Sequence, residues 1–379
     1  MHKCWKIILT LLSLTIVTGC WDQKDIQSFF YVTAFGIDYV DDRYIVYAQL
    51  TDLTQVAKVE GVSREPSTWV GIEEGEHIEQ AIRHLNLTSQ QRLFWNHTAG
   101  IVLHERILKR KESLEQIVDY ISRYREFREN ISLWGTSENL EKLLSTDSIF
   151  DFSPFSTLLL NPKDMYEQYS LIPPYTMKQF IIRNEAPYNT AILPTLTLRE
   201  DLWSKEMEPH SLFEVNGAHL IADYQHKGWM STADLLGLKW MSERTVHTSV
   251  DLLSDQQWFG AVDVLGPKIQ LNLNEHGEEK YRFEVRLKGT VSVMNEQMND
   301  LEIAENIERT IHEQIQSTYA KALSMGADVY NLRNHMYRKS PTTIQRWSNQ
   351  GERPLPANAL EVKVAAQITY PGKRKIEER

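Results

Sequence analysis

The chain has 379 residues, of which 42% are apolar and 10% aromatic, enough for two or three domains with buried cores. Its 51 acidic and 41 basic side chains give a formal net charge of -10, which leaves no reason to expect the basic face that nucleic-acid binding needs. The chain has only 2 cysteines, Cys4 and Cys20, and this excludes a disulfide framework.

The first nineteen residues have the pattern of an export signal. Lys3 and Lys6 precede an apolar run, 7–17, that is too short to remain in a bilayer as a spanning helix. The following residues resemble the lipobox of bacterial lipoproteins: Val17, Thr18, Gly19 and Cys20. We therefore predict a signal peptide over 1–19, cleavage between Gly19 and Cys20, and a diacylglyceryl thioether plus an N-acyl chain such as palmitate on Cys20. The alternatives are an ordinary secretory signal with a chance cysteine, or a signal anchor that is never cut.

The residues after this cysteine carry a second resemblance. Gly19-Cys20-Trp21-Asp22, followed by Gly36-Ile37-Asp38, resembles the opening of the Ger(x)C spore germination lipoproteins. The resemblance implies a lipid-anchored third subunit of a nutrient germinant receptor. Its body would lie on the outer face of the cell membrane. In the spore, the corresponding membrane is the spore inner membrane.

Residues 20–150 are predicted to form an N-terminal α/β domain with a mixed sheet, because strand and helix patterns alternate. An opening antiparallel hairpin is expected from two apolar runs on either side of Asp41-Asp42-Arg43. The predicted strands are 29–35, 44–50, 68–72, 96–103 and 131–134, and the predicted helices are 76–85, 114–124 and 137–144.

Residues 151–212 change in character, because seven of the 13 prolines fall between Pro154 and Pro209. Proline fixes φ and removes a hydrogen-bond donor, so long regular elements are not expected here. We predict a small middle domain or connector with short helices near 162–169 and 176–182. Leu193-Pro194-Thr195-Leu196 also resembles a segment of the same family.

Residues 213–372 are predicted to form a C-terminal α+β domain, followed by a charged tail at 373–379. Its longest helix is expected over 301–325, with Gly326 as its stop. An apolar stripe should pack this helix on a sheet: Ile303, Ile307, Ile311, Ile315, Tyr319 and Leu323. The other predicted elements are strands 217–221, 227–230, 281–293 and 360–370, a helix 231–242 capped by Ser231, and a hairpin of 262–265 with 268–273 around Gly266-Pro267.

This order of elements again resembles the Ger(x)C family. Members often read Asp-x-x-Gly after the long helix and His-Pro later. Here Asp328 is followed by Val-Tyr-Asn, which places Asn331 where the glycine would stand, and Pro341 is preceded by Ser340. The predicted class is thus multidomain α+β, with mixed and antiparallel sheets flanked by helices and one long helix packed on the C-terminal sheet.

The sequence predicts no catalytic, cofactor-binding or metal-binding residues. His312-Glu313 resembles a zinc-protease helix motif, but Gln316 occupies the place of the second histidine. His77 with His84 lacks a third ligand, and His97 and His104 are expected on opposite faces of one strand. Tryptophans within predicted elements are expected in the core: Trp69, Trp134, Trp229 and Trp240.

We therefore expect a non-enzymatic, lipid-anchored accessory subunit of a nutrient germinant receptor that acts by protein-protein interaction. The resemblance implies membrane subunits of that receptor as partners. The bilayer is contacted through the lipid on Cys20, no nucleic acid is involved, and no cofactor beyond that lipid is expected. The alternative is a solute-binding lipoprotein that delivers a small ligand to a transporter. A third possibility, an envelope enzyme, is disfavoured because no catalytic motif is present.

Overall fold

The computed structural model describes residues 30–51, 68–124, 126–128, 130–149, 154–254, 257–273, 279–294, 299–348 and 355–370. The predicted signal peptide, the lipobox with Cys20 and the tail 373–379 lie outside these residues. None of the helices in the described ranges is both long enough and apolar enough to cross a membrane.

The N-terminal half and part of the middle build one large sheet, to which nine strands of the described residues contribute. The first eleven strands in chain order are β1 (Phe30–Val40), β2 (Arg43–Thr51), β3 (Thr68–Gly75), β4 (Leu93–Phe94), β5 (Gly100–His104), β6 (Ser132–Thr136), β7 (Ala191–Arg199), β8 (Ser204–Lys205), β9 (Glu208–Pro209), β10 (Leu212–Ala222) and β11 (Gln225–Ser231). The sheet order is β11-β10-β7-β6-β5-β1-β2-β3, with β4 beside the start of β1, while β8 and β9 form a separate hairpin. β1, β5, β6 and β7 are parallel, and antiparallel strands extend the sheet at both edges.

Helices cover both faces of this sheet. In chain order, the helices of this part of the chain are α1 (Ile78–Thr88), α2 (Glu105–Leu108), α3 (Lys111–Arg123), α4 (Leu140–Leu144), α5 (Lys163–Gln168) and α6 (Met177–Glu185). Of these, α5 lies instead beside residues 247–254. One apolar core joins α1, α3 and α6 to one face, and a smaller core joins α4 and the 154–160 segment to the other. The predicted mixed sheet, its opening hairpin and its alternating helices are confirmed.

The sheet continues beyond the predicted boundaries at 150 and 212, because β7 comes from the proline-rich middle and β10 from the next segment. Sequence reasoning did not identify β7, whose interior holds Pro194. A proline cannot donate to a sheet ladder, and β7 accordingly pairs with β6 only at Thr195 and Gly135. The division into domains stays a prediction, with one sheet running through it.

The C-terminal half forms a second sheet, built from five strands of the described residues. These strands are β12 (His247–Ser254), β13 (Gln257–Leu265), β14 (Lys268–Leu273), β15 (Tyr281–Met294) and β16 (Leu360–Thr369). The accompanying helices are α7 (Asp300–Ser324), α8 (Leu332–Lys339) and α9 (Pro341–Ser348). β15 is the central strand, because β16 runs parallel along one edge while β13 and β14 both pair antiparallel with the other.

The predicted hairpin around Gly266-Pro267 is wrong. β13 and β14 do not pair with each other but follow one another along β15, where Val264 lies opposite Gly289 and Lys268 opposite Arg286. Three residues of one strand thus face two of the other, which is the arrangement of a β-bulge. Gly266 adopts a φ of 41° within this bulge, so the Gly-Pro pair bends the strand without reversing it.

The helix predicted from Ser231 is also wrong beyond its first turn. The cap itself is present, because the Asp234 amide donates to Ser231 Oγ and the Ser231 amide donates to Asp234 Oδ2. The chain then forms turns and a short 3-10 helix, Leu236–Trp240. A Cβ at Gly237 would lie 2.7 Å from the Gln314 carbonyl oxygen and 2.8 Å from Ile315 Cα, so this segment approaches α7 too closely for an α-helix with side chains on that side.

The long helix α7 is confirmed together with its stripe. The isoleucines 303, 307, 311 and 315 and Tyr319 are buried, and Leu323 is partly buried. Asn299 and Glu302 form a capping box at the start. At the end the amides of Gly326 and Ala327 donate to the carbonyls of Leu323 and Ala322, a Schellman motif that needs the positive φ of Gly326.

Two of the four tryptophans expected in the core are not there. Trp134 and Trp240 are buried, and their indole N–H groups donate to Leu159 O and Gln314 Oε1. Trp69 is 71% exposed because β3 is an edge strand, and Trp229 is 39% exposed on the other edge strand, β11. Alternating sequence patterns do not show whether a strand lies at an edge.

The Ile311→Ala variant should lose about 3 kcal/mol of unfolding free energy, because it leaves a cavity between α7 and the second sheet. Denaturant unfolding followed by circular dichroism measures this loss. The control is Glu313→Ala, an exposed site two residues away on the same helix, where a change within about 0.5 kcal/mol is expected. Equal effects of the two substitutions would contradict the packing described for α7.

Candidate functional site

The predicted lipid-attachment site, Cys20 with Val17, Thr18 and Gly19, lies outside the described residues. The described chain begins at Phe30, whose amide donates to the Arg92 carbonyl and which pairs with Leu93 of β4. This places the N-terminal end of β1 at one end of the first sheet. An extended chain spans at most about 3.5 Å per residue, so the segment between Cys20 and Phe30 can reach about 35 Å.

The opposite end of the sheet, where the parallel strands finish, carries a buried carboxylate. Asp38 is the acidic residue of Gly36-Ile37-Asp38 and lies at the end of β1 beside the end of β5. Arg106, at the start of α2, donates from Nε to Asp38 Oδ1 over 3.0 Å and from Nη2 to Oδ2. The Tyr39 amide donates to the same Oδ1. The bond to Asp38 raises the pKa of Arg106, and this charged fork ties β1 to α2.

His104 caps α2 and lies beside this pair. Its Nδ1 accepts the Arg106 amide hydrogen over 3.2 Å, so this nitrogen carries no proton. The 3.4 Å separation of Nδ1 from Asp38 Oδ1 is therefore a close approach and not an ion pair. Burial lowers the pKa of His104 against the opposing influence of Asp38, and the neutral ring serves as a helix cap.

A histidine pair from β10 and β11 lies near the same end of the sheet. His219 Nδ1 and His226 Nε2 are 2.9 Å apart, and the other His219 nitrogen, Nε2, is buried without a hydrogen-bond partner in the described structure. Gly135 makes room for this ring, because a Cβ there would lie 2.6 Å from His219 Cδ2. Burial, followed by the charge of His226, lowers the pKa of His219 to about 3.

The polar side chains at this end of the sheet have structural roles. Among the described residues, no three histidine, cysteine, aspartate or glutamate side chains are grouped so that they could hold a metal ion. The Asp38 carboxylate accepts hydrogen bonds from the Arg106 side chain and the Tyr39 amide. It therefore serves as a buried anchor for α2. Sequence reasoning missed His219, for which the one signal is a histidine inside the apolar run Gly217-Ala218-His219-Leu220-Ile221.

A second polar cluster joins the two halves of the chain at the turn between α7 and α8. The Asp328 amide donates to Thr190 Oγ1, and Asn331 Oδ1 accepts the Thr190 amide over 2.6 Å. Asn334 Nδ2 donates to the Pro187 carbonyl. Thr190 directly precedes β7, so these bonds connect the large sheet to the C-terminal helices.

Asn331 accounts for one departure from the family pattern noted in the sequence. Its φ of 54° and ψ of 39° are left-handed, a conformation that glycine adopts freely and asparagine tolerates. The Asp-x-x-Gly pattern would place a glycine at this turn. Asparagine keeps the turn and adds an amide oxygen that accepts the buried Thr190 amide.

The side chains of Asp328 and Arg333 stabilise the same turn. Asp328 Oδ2 accepts the Arg333 amide over 3.0 Å at the start of α8, while its Oδ1 is buried without a partner in the described structure. Burial raises the pKa of Asp328 to about 6. Arg333 donates from Nε and Nη2 to the two Glu279 oxygens over 2.7 and 2.9 Å, which ties α8 to the start of β15.

The remaining histidines are dispersed. The prediction that His97 lies within a strand is wrong, because His97 precedes β5. Its ring stacks edge-on against Tyr31, with the ring centroids 4.7 Å apart. His104 lies at the other end of β5, so the two are separated, though not by strand alternation. His77 is the N-cap residue of α1, and His312 is exposed on α7.

A surface cleft of about 600 Å3 lies at the C-terminal end of α1. Its lining includes Arg92, Trp95, Tyr124 and Glu126. Arg92 Nη2 and Glu126 Oε1 are 3.3 Å apart, so the cleft offers one cation and one anion. It is located at the Phe30 end of the sheet, because the Phe30 amide donates to Arg92.

Comparison with known protein families finds matches over both halves of the chain. A model described as the spore germination protein N-terminal domain matches residues 22–198. A second, described as the spore germination B3/GerAC-like C-terminal domain, matches residues 216–372. The interval between the two matches, 199–215, runs from the last residue of β7 into the first residues of β10, which are neighbouring strands of one sheet.

Two individual proteins are similar to most of the chain. Spore germination protein KC of Bacillus subtilis (strain 168) is 22% identical over 404 residues, covering 99% of this chain and 97% of that protein. Among solved structures, the crystal structure of the GerBC protein has a TM-score of 0.54 and 13% sequence identity, over 89% of this chain and 96% of that one. The latter likeness shows the shared α+β fold.

His219 should make the folded state sensitive to acid. Its folded-state pKa of about 3 lies below the unfolded value of about 6.5, so its contribution is complete above pH 6.5 and is lost as the pH falls towards 3. The slope attributable to one proton is about 1.4 kcal/mol per pH unit. Asp328 acts with the opposite sign, since its raised pKa favours the folded state below about pH 4 and this advantage is lost as the pH rises through 6.

The measurement is therefore the difference in unfolding free energy between the wild type and His219→Gln from pH 4 to 7. The difference should shrink as the pH falls, because the variant lacks the buried imidazole. The control, Ser317→Ala on the exposed face of α7, removes no titratable group and should give a difference that does not change with pH. A pH-independent difference for His219→Gln would contradict the burial of a neutral ring.

Replacing Asn331 should separate its two roles. Asn331→Gly keeps the left-handed turn but leaves the Thr190 amide without its acceptor, and we expect a loss of about 1–2 kcal/mol. Asn331→Ala adds backbone strain and should lose about 1 kcal/mol more. Chemical denaturation measures both, with Gln90→Gly, an exposed left-handed position, as the control that should not destabilise. Wild-type stability of Asn331→Gly would show that the Thr190 bond contributes nothing.

Proposed function

The chain belongs to the GerAC-like family of spore germination proteins, and from that membership we propose that it is the lipid-anchored accessory subunit of a nutrient germinant receptor. The observation that carries the proposal is the extent of the match. The two family models span 22–198 and 216–372, so nearly all of the chain after the predicted lipobox is accounted for by one kind of protein.

The family motifs support this by their places in the fold. Asp38 fixes the end of β1 against α2, and Asp328 with Asn331 fixes the turn that joins the two halves. These side chains stabilise a particular body and leave no free nucleophile or acid-base pair among the groups described at either place. The proposal therefore assigns the protein a role in assembly and no catalytic step.

The proposed anchor is the lipid on Cys20. Each buried methylene contributes about 0.8 kcal/mol, and a single acyl chain holds a protein to a membrane only marginally. The two chains of the thioether-linked diacylglycerol would hold the protein durably, and an N-acyl chain would add to that attachment. The tether would confine the body to the outer face of the membrane. In spores this membrane would be the spore inner membrane. Confinement raises the effective concentration towards membrane-embedded partners, so modest contacts suffice.

The architecture disfavours the solute-binding alternative. That class has two similar lobes joined by crossing strands. The described residues instead form one nine-stranded sheet and a different five-stranded sheet carrying α7. Titration calorimetry of the body with free amino acids tests the alternative at the Arg92–Glu126 cleft, where micromolar binding that Arg92→Ala abolishes would support it.

The proposed function is tested by purifying a C-terminally tagged copy from dormant-spore inner membranes in mild detergent. Mass spectrometry should identify a multi-spanning membrane subunit and a larger receptor-like subunit. Recovery of a transporter, or of no partner, would contradict the proposal.

Cys20→Ala should prevent lipid attachment. Metabolic labelling with an alkyne-tagged palmitate analogue should label the wild type and not the variant, and the variant should be at least tenfold depleted from carbonate-washed membranes. Cys4→Ser is the matched control, because it removes the other thiol, which lies within the predicted signal peptide. Label retained by Cys20→Ala would show that Cys20 is not the attachment site.

A further inference from the structure

The small hairpin of β8 and β9 exposes large apolar side chains. It extends the β7–β10 pair beyond the last paired residues, Arg199 and Leu212. Within six residues, Leu202 is 62%, Trp203 58% and Met207 94% exposed. Three large apolar side chains exposed this close together in the chain are a candidate interaction site.

The turn of this hairpin is strained. Glu206 and Met207 have φ angles of 52° and 72°, left-handed values at both positions of a two-residue turn. Such turns favour Asn and Gly, and another residue costs roughly 1 kcal/mol at each position. The turn places Met207 at the tip, where its side chain is nearly fully exposed.

The strand directions set the location of the hairpin. β7 is parallel to β6, β5 and β1, so its last residue, Arg199, lies at the end of the sheet opposite Phe30. An eleven-residue strand such as β1 spans about 35 Å. If Cys20 is the anchor, its tether begins at the Phe30 end, and the hairpin projects from the other end. The reach of that tether, about 35 Å, matches the length of the sheet, so the choice between a bilayer and a protein partner rests on the charges at the hairpin tip.

The charges around the hairpin indicate the chemistry of a partner. At its base, Glu200 pairs with Lys142, and Asp201 pairs with Arg199. At its tip, exposed Glu206 and Glu208 flank Met207, and exposed Lys205 lies opposite Glu208, so two acidic and one basic side chain leave a net charge of −1. Charged side chains around the tip disfavour its insertion into a bilayer. A second copy of this chain would bring like charges together, which disfavours self-association through the tip. A complementary surface has an apolar pocket for Trp203 and Met207 and is bordered by lysine or arginine.

We propose that the 204–209 hairpin, together with Leu202 and Trp203, docks into an apolar, positively bordered pocket on the extracytoplasmic part of another receptor subunit. This inference rests on the proposed function. Trp203 supplies a rigid aromatic anchor, and Met207 supplies a flexible tip that adapts to the pocket. The carbonyl of Trp203 accepts the His210 amide over 2.9 Å, which closes the base of the hairpin and holds the element as a unit.

The test uses two double variants of the tagged full chain, each removing one exposed tryptophan and one exposed aliphatic side chain. Trp203→Ser with Met207→Ser alters the hairpin, and Trp69→Ser with Leu87→Ser alters the other end of the sheet, where these side chains are 71% and 78% exposed. Purification from spore membranes should recover receptor subunits at least tenfold less well with the hairpin variant. The control should recover them as the wild type does.

Two further readouts keep the outcomes distinct. Equal thermal midpoints and equal membrane retention of the two variants show that folding and anchoring are intact. Equal recovery of the receptor subunits with both variants would overturn the docking proposal while leaving the proposed function in place. If the wild type recovers no receptor subunit, the proposed function fails and the docking proposal fails with it.

A photocrosslinking residue at position 207 identifies the occupant directly. We expect an adduct with another receptor subunit, and none from the same residue placed at position 87. An adduct with lipid would show that the bilayer contacts the hairpin, and an adduct with a second copy of this chain would show self-association. Either result would overturn the proposal.

Discussion

One buried backbone group, the amide of Thr190, constrains how the two halves of the chain are joined. It lies at the start of β7, away from water, and it needs an acceptor that the large sheet does not supply. Asn331 provides that acceptor from a left-handed conformation, a few residues after Gly326 ends α7. The direction of α7, and with it the second sheet, depends on this pair of turns.

The elements that the sequence predicted best are those with a strong local period. The stripe of α7 and the alternation in β15 each repeat over a dozen residues or more, so tertiary contacts reinforce what the pattern indicates. The hairpin of β1 and β2 was equally clear, because two apolar runs flank an acidic turn. The resemblance at Gly36-Ile37-Asp38 marked a residue that proves to be a buried anchor.

The failures arose where a long-range contact decides the local structure. Pro194 hid β7, although the strand tolerates it because pairing with β6 is minimal. Gly266-Pro267 has the composition of a turn, but β15 holds both flanking strands on one edge. The segment after Ser231 begins as a helix does and is then diverted by close packing of Gly237 on α7. Neither the His219–His226 pair nor the exposure of Trp69 has a signature in local sequence, since both depend on which strands become neighbours.

The place of β16 has a consequence for how the molecule is made. β15, α7 and β16 form a parallel strand-helix-strand unit in which Tyr281 lies beside Leu360, so partners separated by some 80 positions must meet. Pairing of this kind has a high contact order and is slow, because a long loop closes before any contact rewards it. During synthesis from the N-terminus, one edge of β15 remains unpaired until the final strand has been made. The second sheet can thus be completed only after the last strand is available.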